Sequence, residues 1–367
     1  MRRTSEATPR QVVVFGRGGW ERCRDLVVPH LARRHLRPLA FPETGQAIIE
    51  APARVIDRLK RRPGVRVRSE PVLNRPTSVL GAIPAPNVIL GDAVRSWPLI
   101  ELGLAPSADD GRGVMVGLID SGVELSHPAL KGSVSAGSID GGIDTLGHGT
   151  HCAGVIVGRR LPGMPRFGIA PAAHLRSYRV FDQFGKATEG RMRDLVRLAV
   201  RDGCRVIVLA AGVAAPAFTP EDATLGEWLA EQGCLMVAAA GNESNRSGGL
   251  IASTNAPANA PGVYAIGAFN AGSRLWNASN GRGYEPATRV DAVAPGVDVL
   301  SSWVGGRTQL VTGSSAATAV AGGVAAALWS RRPRLSAGEL GALLVNLARR
   351  TVHGERDGVG AGALRLI

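Results

Sequence analysis

Lysine is almost missing from this 367-residue chain, occurring only at Lys60, Lys131 and Lys186, although the formal net charge is +13. The positive charge is therefore arginine, scattered along the chain and not gathered into a stripe. Aromatic residues are scarce too, at 4%, and do not interleave with the arginines, so stacking platforms for single-stranded nucleic acid are lacking. The sequence argues against a nucleic-acid partner. No apolar run reaches the roughly 18 residues of a membrane-spanning helix, which argues against a membrane partner. The first eleven residues are basic and polar and lack the apolar stretch of about 7–15 residues of a signal peptide; a cytoplasmic location is expected. The four cysteines, Cys23, Cys152, Cys204 and Cys234, show no CxxC spacing, so neither a zinc knuckle nor a disulfide framework is indicated. Cys204 and Cys234 each follow a glycine and open an apolar stretch, as neighbours in a sheet would. The simpler reading is buried thiols acting as small hydrophobes.

What is present suits one large domain and a small one. Residues 11–75 read as a small α+β unit. Residues 11–16 (QVVVFG) form a strand, 21–35 have helical composition, and 47–50 form a short apolar strand. Residues 54–61 (RVIDRLKR) space Val55 and Leu59 as an amphipathic helix. Pro63-Gly64 breaks it, and 65–72 (VRVRSEPV) alternates with period two. The order β-α-β-α-β suits a ferredoxin-like sandwich. Residues 76–96, with prolines at 76, 84 and 86, read as an exposed linker. From residue 97 to 367 apolar strands (114–119, 176–180, 206–210, 235–240, 263–268) alternate with helices, which argues for an α/β domain: a mostly parallel sheet with helices on both faces. In one helix, 191–201, Met192, Leu195, Val196 and Ala199 share a face. Another opens at Ser336 with Glu339 three residues on and Leu335 and Leu340 placed as a staple, a capping-box pattern.

Four short motifs carry chemistry. Residues 113–119 (GVMVGLI) are a buried strand ended by Asp120, a carboxylate at the carboxyl end of a parallel strand, where α/β proteins bind ligands. A strand ending in Asp-Ser-Gly also reads as a plain turn. In 147–154 (GHGTHCAG) small residues crowd His148 and His151 at the start of a helix. That holds an imidazole rigidly; a His pair three apart also suggests a metal, but no further ligand follows at a useful spacing. In 311–323 (VTGSSAATAVAGG) Gly313 permits a bend that presents Ser315, and an almost wholly apolar helix follows. The helix N-terminus favours an oxyanion at that serine; a Ser cap on a buried Ala/Gly helix is the plainer reading. Finally, 235–242 (LMVAAAGN) leads a strand through Ala-Gly into Asn242, an amide able to donate to a developing negative oxygen.

In combination these motifs resemble the subtilisin-like peptidase family (peptidase S8, subtilases). Asp120-Ser-Gly is similar to the family's Asp motif, His148-Gly-Thr-His to its His motif, Gly313-Ser-Ser315-Ala-Ala to its Ser motif and Ala239-Ala-Gly-Asn242 to its oxyanion motif. They come in the family's order, Asp, His, Asn, Ser. The resemblance covers roughly residues 95–367 and implies a serine endopeptidase acting on peptides or proteins without a cofactor. Ser315 would be the nucleophile, His148 the base, Asp120 its partner and Asn242 an oxyanion donor. Residues 56–72 resemble, less closely, the family's propeptide, which implies the chain's own N-terminal domain as inhibitor; a retained accessory domain is the alternative.

The departures are local. Ser314, Ala316 and Ala319-Val320 stand where relatives usually carry Thr, Met and Pro-His. The cleft strand reads VLAAG (208–212) in place of Asn-x-Ser-x-Gly; Gly212 still offers backbone bonds to an extended peptide. Residues 256–263 (APANAPGV) are expected near the specificity pocket. The loop 158–167 (GRRLPGMPRF), where many relatives bind calcium, carries no acidic or amide side chain, so no metal is expected there. Two other readings are an inactive peptide-binding module and a peptide ligase or macrocyclase using the same acyl-enzyme.

Overall fold

A computed structural model describes residues 11–14, 39–41, 46–49, 53–70, 72–74, 79–81, 94–105, 110–182, 185–212, 223–282, 289–348, 352–354 and 356–366. In the N-terminal unit β1 (Gln11–Val14), β2 (Leu39–Phe41), β3 (Gln46–Ile49), α1 (Ala53–Lys60) and β4 (Arg66–Ser69) follow one another. The strands form one antiparallel sheet in the order β2-β3-β1-β4. Helix α1 buries Val55, Ile56 and Leu59, the stripe its spacing implies. The sheet has one strand more than the sequence suggested: Leu-Ala-Phe at β2, three residues between Pro38 and Pro42, is too short to show a period. The helix expected over 21–35 lies outside the described residues.

Two short strands follow, one just before the stretch read as a linker (76–96) and one inside it. β5 (Val72–Asn74) and β6 (Val79–Gly81) are followed by α2 (Trp97–Glu101), β7 (Met115–Asp120), β8 (Val134–Ala136), α3 (His148–Val157), β9 (His174–Arg179) and β10 (Lys186–Thr188). Then come α4 (Glu189–Arg201), β11 (Val206–Leu209), α5 (Ala223–Glu231), β12 (Leu235–Ala239), β13 (Val263–Phe269) and β14 (Ala292–Pro295). β15 (Val299–Trp303), β16 (Arg307–Thr312), α6 (Ser314–Arg331), α7 (Ala337–Leu347) and α8 (Arg356–Val359) complete the chain. β5 pairs antiparallel with β10, and β6 pairs antiparallel with β16. Part of the expected linker is thus sheet, added to edges of the larger domain.

The main sheet is parallel throughout, in the order β14-β13-β12-β11-β7-β9-β8. Its central strands are apolar on both faces, as covered parallel strands must be. In β11, Val206 and Val208 join the cluster formed with α6, while Ile207 and Leu209 join the one formed with α4 and α5. Helices therefore cover both faces, as expected. On α4, Met192, Leu195, Val196 and Ala199 are buried, a stripe worth about 1.5–3 kcal/mol for each large side chain. Helix α6 is buried from Ser314 to Trp329. Its small residues allow that: a Cβ on Gly323 would come within 2.8 Å of Ile169 Cβ, and Gly322 lies against Val208.

Ser336 caps α7 as its sequence implies: its Oγ accepts from Glu339 N (3.3 Å), and Glu339 Oε2 accepts from Ser336 N (2.8 Å). Cys204 and Cys234 precede neighbouring strands, and the Cys234 thiol donates to the Cys204 carbonyl (3.1 Å), yet both are free and buried. Among the described residues no helix is long and apolar enough to cross a membrane.

Candidate active site

The end of β7 and the starts of α3 and α6 meet at the carboxyl end of the main sheet. Asp120 is the last residue of β7, which lies between β11 and β9, and is only 1% exposed. His148 is the first residue of α3, entered through Gly147 at φ +84°, a left-handed conformation that favours glycine. Gly147 has a second reason to lack a side chain, because a Cβ there would collide with the Trp303 ring. Ser315 is the second residue of α6 and 1% exposed. The Gly313 before it has φ 165°, extended backbone open to any residue. The bend expected of Gly313 is therefore not a left-handed one.

These elements bring the three side chains into one line. His148 Nδ1 is 2.8 and 3.0 Å from the Asp120 carboxylate oxygens, and His148 Nε2 is 3.0 Å from Ser315 Oγ. A carboxylate only accepts, so Nδ1 carries the proton and Nε2 is left to accept from the serine hydroxyl. Burial, the largest single influence, pulls the His148 pKa down, but the Asp120 charge, Cys152 and the hydrogen bond to Asp120 together outweigh it and hold the imidazole well above its ordinary value. The group is built to become a cation on demand.

His151 does not share this role. Its Nε2 donates to the Val299 carbonyl (2.8 Å), and burial pushes its pKa down to about 3, so it stays neutral. Cys152 Sγ lies 4.0 Å from His148 Nδ1, and burial pushes that thiol up to about 11. Ligating atoms of Asp120, His148 and Cys152 all lie within 4.8 Å of one another; with the proton on Nδ1 directed at Asp120 and the thiol neutral, the cluster is organised for proton transfer.

Asn242 follows β12 through Gly241, whose φ is +112°. Its Oδ1 accepts from Ser314 N (2.8 Å), and Gly241 N donates to Ser314 Oγ (3.1 Å). The amide is thereby oriented, and its Nδ2 makes no hydrogen bond among the described residues. Gly212 follows β11 and lies against the segment beginning at Asn255: a Cβ on it would come within 3.0 Å of Asn255 Cβ and 3.1 Å of the Ala256 carbonyl. The stretch from residue 256, expected near the specificity pocket, does begin beside Gly212.

Sequence reasoning missed two supports. One is Asn280, fully buried, whose Oδ1 accepts from Glu243 N (2.8 Å) and Ser244 N (3.0 Å) and whose Nδ2 donates to Glu243 Oε2 (2.6 Å). Glu243 Oε2 in turn accepts from Asn242 N (2.9 Å), so the loop carrying Asn242 is pinned. The other is Asp144, four residues before His148, whose carboxylate accepts from Gly147 N (2.8 Å) and Thr150 N (2.9 Å). An acid shortly before a glycine-entered helix was the signal available.

The arrangement supplies a hydroxyl, a base with a raised pKa, a buried carboxylate and an oriented amide donor, the parts needed for acyl transfer. A profile of the subtilase family matches residues 111–362. The chain is 34% identical over 224 residues to a thermophilic serine proteinase of Bacillus sp. (strain AK1), covering 60% of this chain and 53% of that protein. It is 30% identical over 227 residues to subtilisin E of Bacillus subtilis (strain 168), covering 61% and 57%. The chain thus spans a little over half the length of these relatives. Among solved structures it is similar to fervidolysin from Fervidobacterium pennivorans, a keratinolytic enzyme related to subtilisin, with a TM-score of 0.77, 21% identity, 100% of this chain and 61% of that one covered. It is also similar to a cold-adapted subtilisin-like serine proteinase, with a TM-score of 0.64, 24% identity and coverage of 74% and 98%. At those identities the structural likeness is one of fold.

Proposed function

The chain belongs to the subtilase family, and from that premise we propose that it is a serine endopeptidase acting through an acyl-enzyme on Ser315. The observation that carries this reading is the continuous hydrogen-bonded line from Asp120 through His148 to Ser315, at 2.8 and 3.0 Å. In the first step Ser315 Oγ attacks the peptide carbonyl while its proton passes to His148 Nε2. Asp120 holds the tautomer and stabilises the imidazolium, which then protonates the leaving amine. Asn242 Nδ2 and the Ser315 backbone N–H donate to the oxyanion. Water repeats the sequence and releases the acid.

Substrates are peptides or proteins bound as added strands. The pairing of β5 with β10 and of β6 with β16 supports this, because both edges already hold extended backbone of the chain itself. β16 ends at Thr312, three residues before Ser315. The same pairings support reading the N-terminal unit as a propeptide-like inhibitor. It is also docked through Glu70, whose Oε1 accepts from Gly190 N at the start of α4 (2.9 Å), and through the Arg68–Glu189 ion pair (2.8 Å).

A fluorophosphonate probe and a quenched peptide library test the proposal. Labelling of Ser315 with hydrolysed products supports it. An unlabelled protein that still binds peptides would make it an inactive binding module, and joined products would make it a ligase.

A further inference from the structure

The Asp144 carboxylate gathers five hydrogen bonds. Oδ1 accepts from Ser121 Oγ (2.9 Å), Leu146 N (3.0 Å) and Gly147 N (2.8 Å); Oδ2 accepts from Thr150 N (2.9 Å) and Thr150 Oγ1 (2.6 Å). Gly147, at the N-cap of α3, has no side chain to satisfy the first N–H groups of the helix, and Asp144 does so in its place. A cap alone would matter only for stability.

The bond from Ser121 adds something else. Ser121 follows Asp120 directly, and its backbone N donates to Asp120 Oδ1 (2.6 Å). Its Oγ accepts from Gly149 N, the residue after His148, at 2.9 Å. A hydroxyl has one proton to give. Asp144 takes it, so Ser121 meets Gly149 as an acceptor and has no proton left for the Asp120 carboxylate. The start of α3 is thereby tied to the end of β7 on both sides of His148. The two backbones are already in contact: a Cβ on Gly149 would come within 3.2 Å of Asp120 Cβ and would collide with the Gly122 carbonyl. Any shift of α3 relative to β7 changes the His148–Asp120 distance directly.

We propose that Asp144, acting through Ser121, is a positioning residue for the acylation step: it sets the separation of Asp120 and His148 and withholds a competing hydroxyl proton from Asp120. This rests on the reading of Ser315 as nucleophile. Ser121 is the relay and Asp144 the anchor; neither touches the substrate.

The test is a cycle of Asp144→Asn, Ser121→Ala and the double variant. Ser121→Ala leaves the bonds from Asp144 to α3 in place and removes only the hydroxyl's bonds to Asp144 and Gly149 N, so it separates positioning from capping. Each single change is expected to lower kcat for peptide hydrolysis about 10–100-fold, the scale of a sub-ångström to 1 Å misplacement, with KM within about twofold. The first-order rate of fluorophosphonate labelling of Ser315 should fall in parallel. The double variant should be no worse than the poorer single one, because both cut one chain of contacts. Three results overturn the proposal: Ser121→Ala with the parent kcat, Asp144→Asn that melts earlier but keeps full kcat per folded molecule, or losses that multiply in the double variant. The labelling arm keeps the two readings apart. A parent protein that labels at Ser315 but cuts no peptide sinks the endopeptidase reading and leaves the labelling rates to decide this one; a parent that does not label sinks both.

Discussion

Asn242 Oδ1 accepts a hydrogen bond from the backbone N–H of Ser314, the residue before Ser315, at 2.8 Å. That bond decides which end of the amide faces the cleft: the oxygen is engaged, so the NH2 group is presented. Asn242→Ala is expected to lower kcat by roughly 10²–10³-fold with KM little changed, the effect that loss of one oxyanion donor has in subtilisin, carried over by resemblance. Steady-state kinetics on a single peptide checks it; a rise in KM alone would place Asn242 in substrate binding.

Ser315→Ala should abolish hydrolysis of casein while leaving the circular dichroism spectrum unchanged, since only one oxygen is lost from a site of small residues. The same variant should stay full length. The parent should cut itself between Asn74 and Val79, because the strands ending and beginning there are held on β10 and β16 at high effective concentration. Intact masses of both proteins decide the matter. A full-length parent with strong activity would make the N-terminal unit a permanent accessory domain.

The pH profile follows from the His148 environment. Burial most strongly favours the neutral ring, but the charge and hydrogen bond of Asp120, with Cys152, together outweigh it and raise the pKa. The base must be neutral to take the Ser315 proton, so activity falls as pH drops through this raised value. The acid limb of kcat/KM should lie above the ordinary imidazole value of about 6.5. It should follow one proton, because His151 is held neutral down to about 3. Asp120→Asn removes the raising partner and leaves burial, so the limb should move to lower pH while kcat falls by about 10⁴. A limb that stays in place would assign the titration to another group.

Docking of the N-terminal unit rests partly on Glu70 at the start of α4 and on Arg68 against Glu189. Glu70→Ala and Arg68→Ala should each weaken retention of the cut fragment about 5–10-fold, equivalent to roughly 1–1.4 kcal/mol. The effect should shrink at high salt. Fluorescence titration at two salt concentrations measures it, and unchanged affinity in both variants would remove these contacts from the docking account.

Ser336→Ala removes the hydroxyl half of the capping box on α7, the bond that Ser336 Oγ accepts from Glu339 N, and keeps the backbone half. The expected cost is about 1 kcal/mol, or roughly 2–4 °C in Tm for a domain of this size, with kcat unchanged. Differential scanning calorimetry is the check.

Asp120, His148, Ser315 and Asn242 were legible because each sits among small residues at a strand end or a helix start, and those demands are local. The capping box at Ser336 was legible for the same reason. β6 was not, because a three-residue strand has no period to read and its partner, β16, lies far along the chain. Asp144 and Asn280 were missed for a related reason: a single Asp or Asn in a loop looks like turn chemistry until the distant donors are in place. Among these, Ser121 lies on another junction and Glu243 on another loop. Cys204 and Cys234 were legible as neighbours, and their lack of a bond follows from the thiol of one pointing at the carbonyl of the other.

Helix α6 is enclosed on every side from Ser314 to Trp329, so it has no solvent-facing stripe along which to fray. Its amides should exchange with deuterium only when the whole domain opens, at the slow end of the protein's range. Ser315 thus rides on the part of the molecule that lets go last. On heating, loss of labelling at Ser315 and loss of global structure should coincide in one transition, with no temperature window in which a folded but dead enzyme accumulates.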